Sequence, residues 1–173
     1  EKARDLNIDE ETYFEVIRKK TASLIATCCE AGAISVHANA DQQEKMRKFG
    51  ELIGLAFQIK DDIFDYGTGE HIGKPTGIDI REQKMTLPLI YALRNADWLQ
   101  KKKIIYLIRN RSEDKKAVNE VIDFVKKSGG LGYAQEKMTA FYKEALGILE
   151  EFPDSAYKPA LRDLVLYSIA RKK

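Results

Sequence analysis

Residues 57–65 read Phe-Gln-Ile-Lys-Asp-Asp-Ile-Phe-Asp, FQIKDDIFD, and the spacing of their polar side chains decides the element they form. An α-helix turns by about 100° per residue. With Gln58 at zero, Asp62 lies at about 40°, Asp65 at about 340° and Asp61 at about 300°, so the four share one arc of about 100°. Leu52, Ile53, Ala56, Phe57, Ile59, Ile63 and Phe64 occupy the opposite side, the division expected of a helix packed on a core. Lys60 falls among them, and periodicity gives no account of it.

Like charges at helical spacing repel, and a cation between them removes the cost. Asp61 and Asp65 are separated by about 6 Å of helix rise, so both reach one small site with Asp62 beside it. Hard oxygen donors without a nearby Cys or His favour Mg²⁺, which keeps several waters and binds substrate phosphates. Taken alone, the DDxxD spacing fits a solvated acidic face as well as a metal site.

The rest of the chain reads as helix. Asp9 can cap a helix running to about Glu30, with Phe14, Ile17, Thr21, Leu24 and Cys28 on its inner face. Asp41 to Glu44 resembles a capping box, and the helix it opens runs through Tyr66 to Gly67 and Gly69. The stretch from Gly67 to Met85, rich in glycine, is long for a loop inside a compact domain and reads as a functional flap. Thr86 opens a helix that tolerates Pro88 in its first turn. Asp97 with Gln100 marks another start, and later helices span roughly 114–128, 132–151 and 159–171. The expected architecture is an all-α helical bundle.

The 173 residues suffice for one domain with a sizeable core. With 44% hydrophobic and 32% charged residues, the composition is that of a soluble globular chain, and a net charge of +2 implies no nucleic-acid partner. No run approaches a membrane span and no signal peptide is visible. Cys28 and Cys29 are adjacent and match no zinc spacing, so reduced, buried, cytoplasmic thiols are expected. The lysine runs at 101–103, 115–116 and 126–127 read as solvated faces, and Trp98, Phe141 and Tyr142 as core. His37 and His71 are isolated. The chain opens on Glu, and EKARDLNIDEE reads like the middle of a longer sequence.

Several cations complement the carboxylates. Lys20 lies between Val16 and Leu24 on the apolar side of the first helix, where a cation needs an anion partner. A structural salt bridge would satisfy it, and so would a phosphate ligand. Lys74 and Lys84 sit in and beside the long loop. Gly73-Lys74 is not a Walker motif, because no glycine stands five residues earlier and the segment follows a helix. Carboxylates, Mg²⁺ and several lysines together describe a diphosphate site.

The segments KTASL (20–24), FQIKDDIFD (57–65), GKPTGID (73–79) and KMTLPLI (84–90) resemble, in order and spacing, the C-terminal half of the trans-polyprenyl diphosphate synthases. GIDIREQKMTLPLI resembles the long-chain, octaprenyl-type members more than the short-chain ones. The resemblance implies an isoprenoid-synthase bundle, with residues 1–173 as a single all-helical domain or fragment lacking the N-terminal half. DDIFD would be the second aspartate-rich motif, with Asp61, Asp62 and Asp65 binding Mg²⁺. Lys20, Lys74 and Lys84 would contact the allylic diphosphate with Thr21 and Gln58 beside it, and Lys20, Asp61 and Lys74 would carry catalysis. The implied enzyme is a Mg²⁺-dependent prenyltransferase that condenses isopentenyl diphosphate with an allylic prenyl diphosphate, as a homodimer in full-length form. The other aspartate-rich motif and its paired arginines do not occur in this sequence, so the fragment alone is expected to be inactive. A non-catalytic partner subunit or a terpene-cyclase or squalene-synthase-like enzyme are the alternatives. The intact DDIFD, Lys20 and Lys74 argue against the first, and GKPTGID against the second.

Overall fold

A computed structural model of the chain describes residues 8–67 and 76–170, and every regular element among them is helical. In chain order these are α1 (Glu10–Ile17), a π-helical segment (Arg18–Ala22), α2 (Ser23–Ser35), α3 (Ala40–Phe64), α4 (Ile78–Arg81), α5 (Leu87–Arg94), α6 (Trp98–Asn110), α7 (Lys115–Lys127), α8 (Gly130–Glu150) and α9 (Tyr157–Ala170). The all-α expectation holds for these residues. No described helix is long and apolar enough to cross a membrane. The chain divides into two compact units. One contains the described residues through Val16 and Asp61–Glu136, the other Ile17–Lys60 and the described residues from Lys137 onward.

In the second unit, the π segment resets the register of the first helix. Asp9 caps that helix as expected, its Oδ1 accepting the Thr12 N–H at 2.8 Å. At the segment's end the Ser23 N–H reaches back five residues to the Arg18 carbonyl. The buried positions therefore step from Ile17 to Ala22, then to Ala26 and Ala33. One inserted residue rotates everything downstream by about 100°. Leu24, expected inside, is 68% exposed, and Cys28 is exposed as well. The expectation of buried thiols therefore fails for Cys28, while both cysteines are free as expected. Lys20, expected to point toward the apolar side, is exposed for the same reason. The helix also continues to Ser35 rather than ending near Glu30.

The helix α3 begins earlier than Asp41–Glu44 suggests. Asn39 Oδ1 accepts the Gln42 N–H at 2.9 Å, and Gln42 Oε1 accepts the Asn39 N–H at 3.2 Å, a reciprocal capping box. Most of its expected apolar side is buried: Leu52, Ala56 and Ile59, with Ile63 and Phe64 in the first unit, whereas Ile53 and Phe57 are half-buried. Gly54 allows α3 to press on the π segment, because a Cβ there would lie 2.5 Å from the Ala22 Cα.

In the first unit, α7 buries Val118, Val121, Ile122 and Val125 at steps of three and four. Gly77 (φ 76°) sits in the left-handed region, and a Cβ there would collide with Val118. This glycine lets α4 dock, burying Ile80. The described end of the expected flap, residues 76–84, is thus a packed helical turn. Thr86 and Pro88 open α5, and Asp97 accepts the Gln100 N–H at 2.8 Å, both as expected. The lysine runs are exposed, also as expected. Trp98 is not core. It is 65% exposed, because α6 turns Ile104, Leu107 and Ile108 inward instead. Tyr142 is buried in the second unit and Phe141 only half-buried.

Candidate active site

The last turn of α3 holds its carboxylates in unequal surroundings. Asp62 is 7% exposed, and its Oδ2 accepts a 2.8 Å hydrogen bond from the Tyr13 hydroxyl, itself buried. Burial, with the Asp62 charge added, pushes the Tyr13 phenol well above its ordinary range, so it stays a donor. Asp65 lies just past the helix. Its Oδ1 accepts the Ile78 N–H at 2.9 Å, its Oδ2 the Asp79 N–H at 3.0 Å, and its carbonyl the Gly77 N–H at 2.8 Å. Asp65 thereby fastens α4 to the end of α3. Asp61 is half-buried.

Asp61 and Asp62 therefore share the last turn of α3, while Asp65 follows it, because the helix ends at Phe64 rather than running through Tyr66 as the sequence suggests. Among the described residues, however, no group of three His, Cys, Asp or Glu side chains gathers as a metal cluster. Asp62 Oδ2 and both carboxylate oxygens of Asp65 already accept protein donors. A donor set of this kind fits a Mg²⁺ ion that takes one or two protein carboxylates and fills its remaining positions with water and phosphate.

Lys84, in the same unit, is half-buried and paired with Asp79 (3.3 Å) and with Glu82. The hydrogen bond to Glu82 leads in raising its pKa above the ordinary lysine value, so it is charged at neutral pH. Arg81 Nε is a buried donor without a hydrogen-bond partner, a cation the sequence did not single out. Thr86 and Tyr66, both buried, share a 2.6 Å hydrogen bond between their hydroxyls. Burial likewise raises the Tyr66 phenol. Lys74 and His71 lie outside the described residues.

The remaining expected site residues belong to the second unit. Thr21, in the π segment, donates from Oγ1 to the Gln58 Oε1 at 3.2 Å, and Gln58 is buried. Lys20 is exposed beside Thr21, where the π segment turns it outward. Tyr13 was missed by sequence reading, since nothing local pairs it with a residue 49 positions away. Its place one helical turn before the buried Ile17 was the available signal.

Residues 1–125 match the polyprenyl synthetase family. The chain belongs to that family. It is 38% identical over 165 residues to a short chain isoprenyl diphosphate synthase of Methanothermobacter thermautotrophicus, which covers 93% of this chain and 50% of that protein. Among solved structures, it resembles a decaprenyl diphosphate synthase from Rhodobacter capsulatus with a TM-score of 0.89 and 33% identity, over 96% of this chain and 52% of the other. A polyprenyl synthase from Caulobacter crescentus CB15, complexed with calcium and isoprenyl diphosphate, superposes with a TM-score of 0.88 at 32% identity, over 99% and 52% of the two chains. The chain thus spans about half the length of these polyprenyl synthetases. One is named for short products and one for decaprenyl products, so membership alone sets no product length.

Proposed function

We propose that this chain is the C-terminal portion of a polyprenyl diphosphate synthase and carries its allylic-diphosphate site. The observation that supports the reading best is the end of α3. There Asp62 is fixed by the buried Tyr13 hydroxyl and Asp65 by the backbone of α4, with half-buried Asp61 on the same stripe. Asp61 would hold Mg²⁺ directly, and Asp62 and Asp65 would hold the helix end in place around it. When bound, Mg²⁺ supplies positive charge against the charge that develops on a departing diphosphate.

Lys20 and Lys74, with Lys84, would neutralise the diphosphate oxygens, and Thr21 and Gln58 would orient it. Lys84 would have to share its ammonium with Asp79 and Glu82. In the reaction, the allylic C–O bond breaks with its electron pair leaving on the diphosphate. The double bond of isopentenyl diphosphate attacks the allylic carbon, and the condensed cation then gives a proton to the released diphosphate. The lysines favour the first step by meeting charge where it develops. Exclusion of water from such a site would protect the allylic cation from capture. The active form in this reading is a homodimer of the longer protein.

The test is prenyl transfer by the intact gene product, assayed with labelled isopentenyl diphosphate, an allylic diphosphate and Mg²⁺. Asp61→Ala should lower kcat by about 10²–10³-fold, the scale of losing one charge-stabilising contact, with the circular-dichroism spectrum unchanged. A variant with wild-type kcat would overturn the assignment.

A further inference from the structure

The helix α6, WLQKKKIIYLIRN, carries on its outer side a surface that the proposed diphosphate site does not use. Trp98 (65%), Leu99 (72%) and Tyr106 (57%) are all exposed. With Trp98 at zero, Arg109 lies at about 20°, Lys102 at about 40°, Tyr106 at about 80° and Leu99 at about 100°. The buried Ile104, Leu107 and Ile108 occupy the opposite arc, from about 180° to about 280°. Lys101 and Lys103 border the exposed face. The helix bears no acidic residue, and Asp97 at its head accepts the Gln100 N–H as the N-cap. Off this face, Lys103 pairs with Glu120 of α7, and Lys101 lines a cavity with Asp9, Glu10 and Glu11. The Lys102 ammonium lies 3.8 Å from the centre of the Trp98 ring, so cation and aromatic form one patch.

Two other exposed apolar clusters provide a contrast. Leu24 and Ile34 on α2 stand on a helix with no basic residue, Ser23–Ser35. Near Leu164, Leu166 and Tyr167 on α9, Lys158 and Arg162 are both paired with Glu150. Only on α6 among these helices do exposed Trp, Tyr and Leu share a face with exposed basic residues, Lys102 and Arg109. Indole and phenol rings favour the bilayer interface, and lysines favour anionic headgroups.

We propose that the outer face of α6 docks on an anionic lipid bilayer, lying in the headgroup plane with Trp98, Leu99 and Tyr106 inserted and Lys102 and Arg109 against the phosphates. A helix of this length is far too short to span the bilayer and lies on it. The inference is independent of the diphosphate site.

Trp98 is the sole tryptophan of the chain, so its emission reports the contact directly. The 173-residue chain is mixed with vesicles of phosphatidylcholine alone or of phosphatidylcholine with phosphatidylglycerol, without Mg²⁺ or diphosphate. Co-sedimentation and a blue shift of Trp98 emission are expected with the anionic vesicles only. K102E/R109E should weaken binding by at least about tenfold, at roughly fivefold per basic residue removed from an anionic surface. K48E/K143E changes net charge equally through exposed lysines elsewhere, and should retain binding within about threefold. L99S/Y106S, at exposed positions, should abolish the blue shift. No sedimentation, unshifted emission on bound vesicles, or equal losses in the two charge variants would overturn the proposal. Equal binding to both vesicle types would overturn it too.

Discussion

At the end of α3, Asp62 is buried against the Tyr13 hydroxyl and Asp65 accepts two N–H groups of α4, whereas Lys20 in the π segment is exposed and its neighbour Thr21 donates to Gln58. The acidic stretch is wired into its unit and the basic one is presented from its surface. The difference follows from desolvation. A carboxylate away from water needs donors on its oxygens, so burial makes it rigid. A lysine on a long stem stays hydrated until an anion arrives, and loses its rotamer freedom only then. In the proposed synthase the carboxylate stretch would be preorganised, and the lysine would lose its freedom only on meeting an anion.

Predictions on the two stretches run from large effects to small. The π segment stays in place because α3 has no side chain at Gly54, so Gly54→Val should cost about 3 kcal/mol, measured by urea unfolding. A loss under about 0.5 kcal/mol would mean the packing of Ala22 on α3 does not matter. On the acidic side, Asp62→Ala strands the buried Tyr13 hydroxyl and should cost about 2 kcal/mol. Adding Tyr13→Phe should recover part of that loss, and strict additivity in the double-mutant cycle would deny the coupling. Asp65→Ala should cost about 1 kcal/mol and speed amide exchange at Ile78 and Asp79, while exchange within α7 stays slow.

The smallest effect is on pH dependence. Below about pH 10, Tyr13 is protonated in both folded and unfolded chains. Above that, the unfolded chain ionises while burial and Asp62 keep the folded phenol neutral, so stability falls as pH rises. Tyr13→Phe should make that fall shallower, and an unchanged slope would place the cause elsewhere, at Tyr66 for example.

Sequence reading succeeded where local pattern and local structure agree. The arc of α3 emerges with Ile59, Ile63 and Phe64 buried, and Asp97 and Pro88 mark real helix starts. The π segment left no local sign, because RKKTA is ordinary helical sequence and its extra residue shows only as a step from Ile17 to Ala22. That one step moved Lys20, Leu24 and Cys28 outward. Trp98 misled because aromatic residues favour cores, yet it sits at the first position of α6, ahead of that helix's buried stripe. Lys158 is the converse case. Its buried ammonium donates to the Phe152 carbonyl at 2.8 Å and to the Glu150 carbonyl at 3.3 Å, acceptor sites that only the folded end of α8 creates. In the site, the residue types Asp, Lys and Thr were legible, while the partners that hold them, Tyr13 and the backbone of α4, depend on tertiary structure.

The most direct measurement is the thermal unfolding of the 173-residue chain with Mg²⁺ and inorganic diphosphate, together and separately. A ligand at about 100 times its Kd stabilises by about 2.7 kcal/mol, a shift of several degrees for a domain of this size. The account predicts that shift only with both components present, and its loss in Asp61→Ala and in Lys20→Ala, whose own melting temperatures stay near wild type. Equal shifts in wild type and Asp61→Ala would contradict the claim that the end of α3 is a metal–diphosphate site.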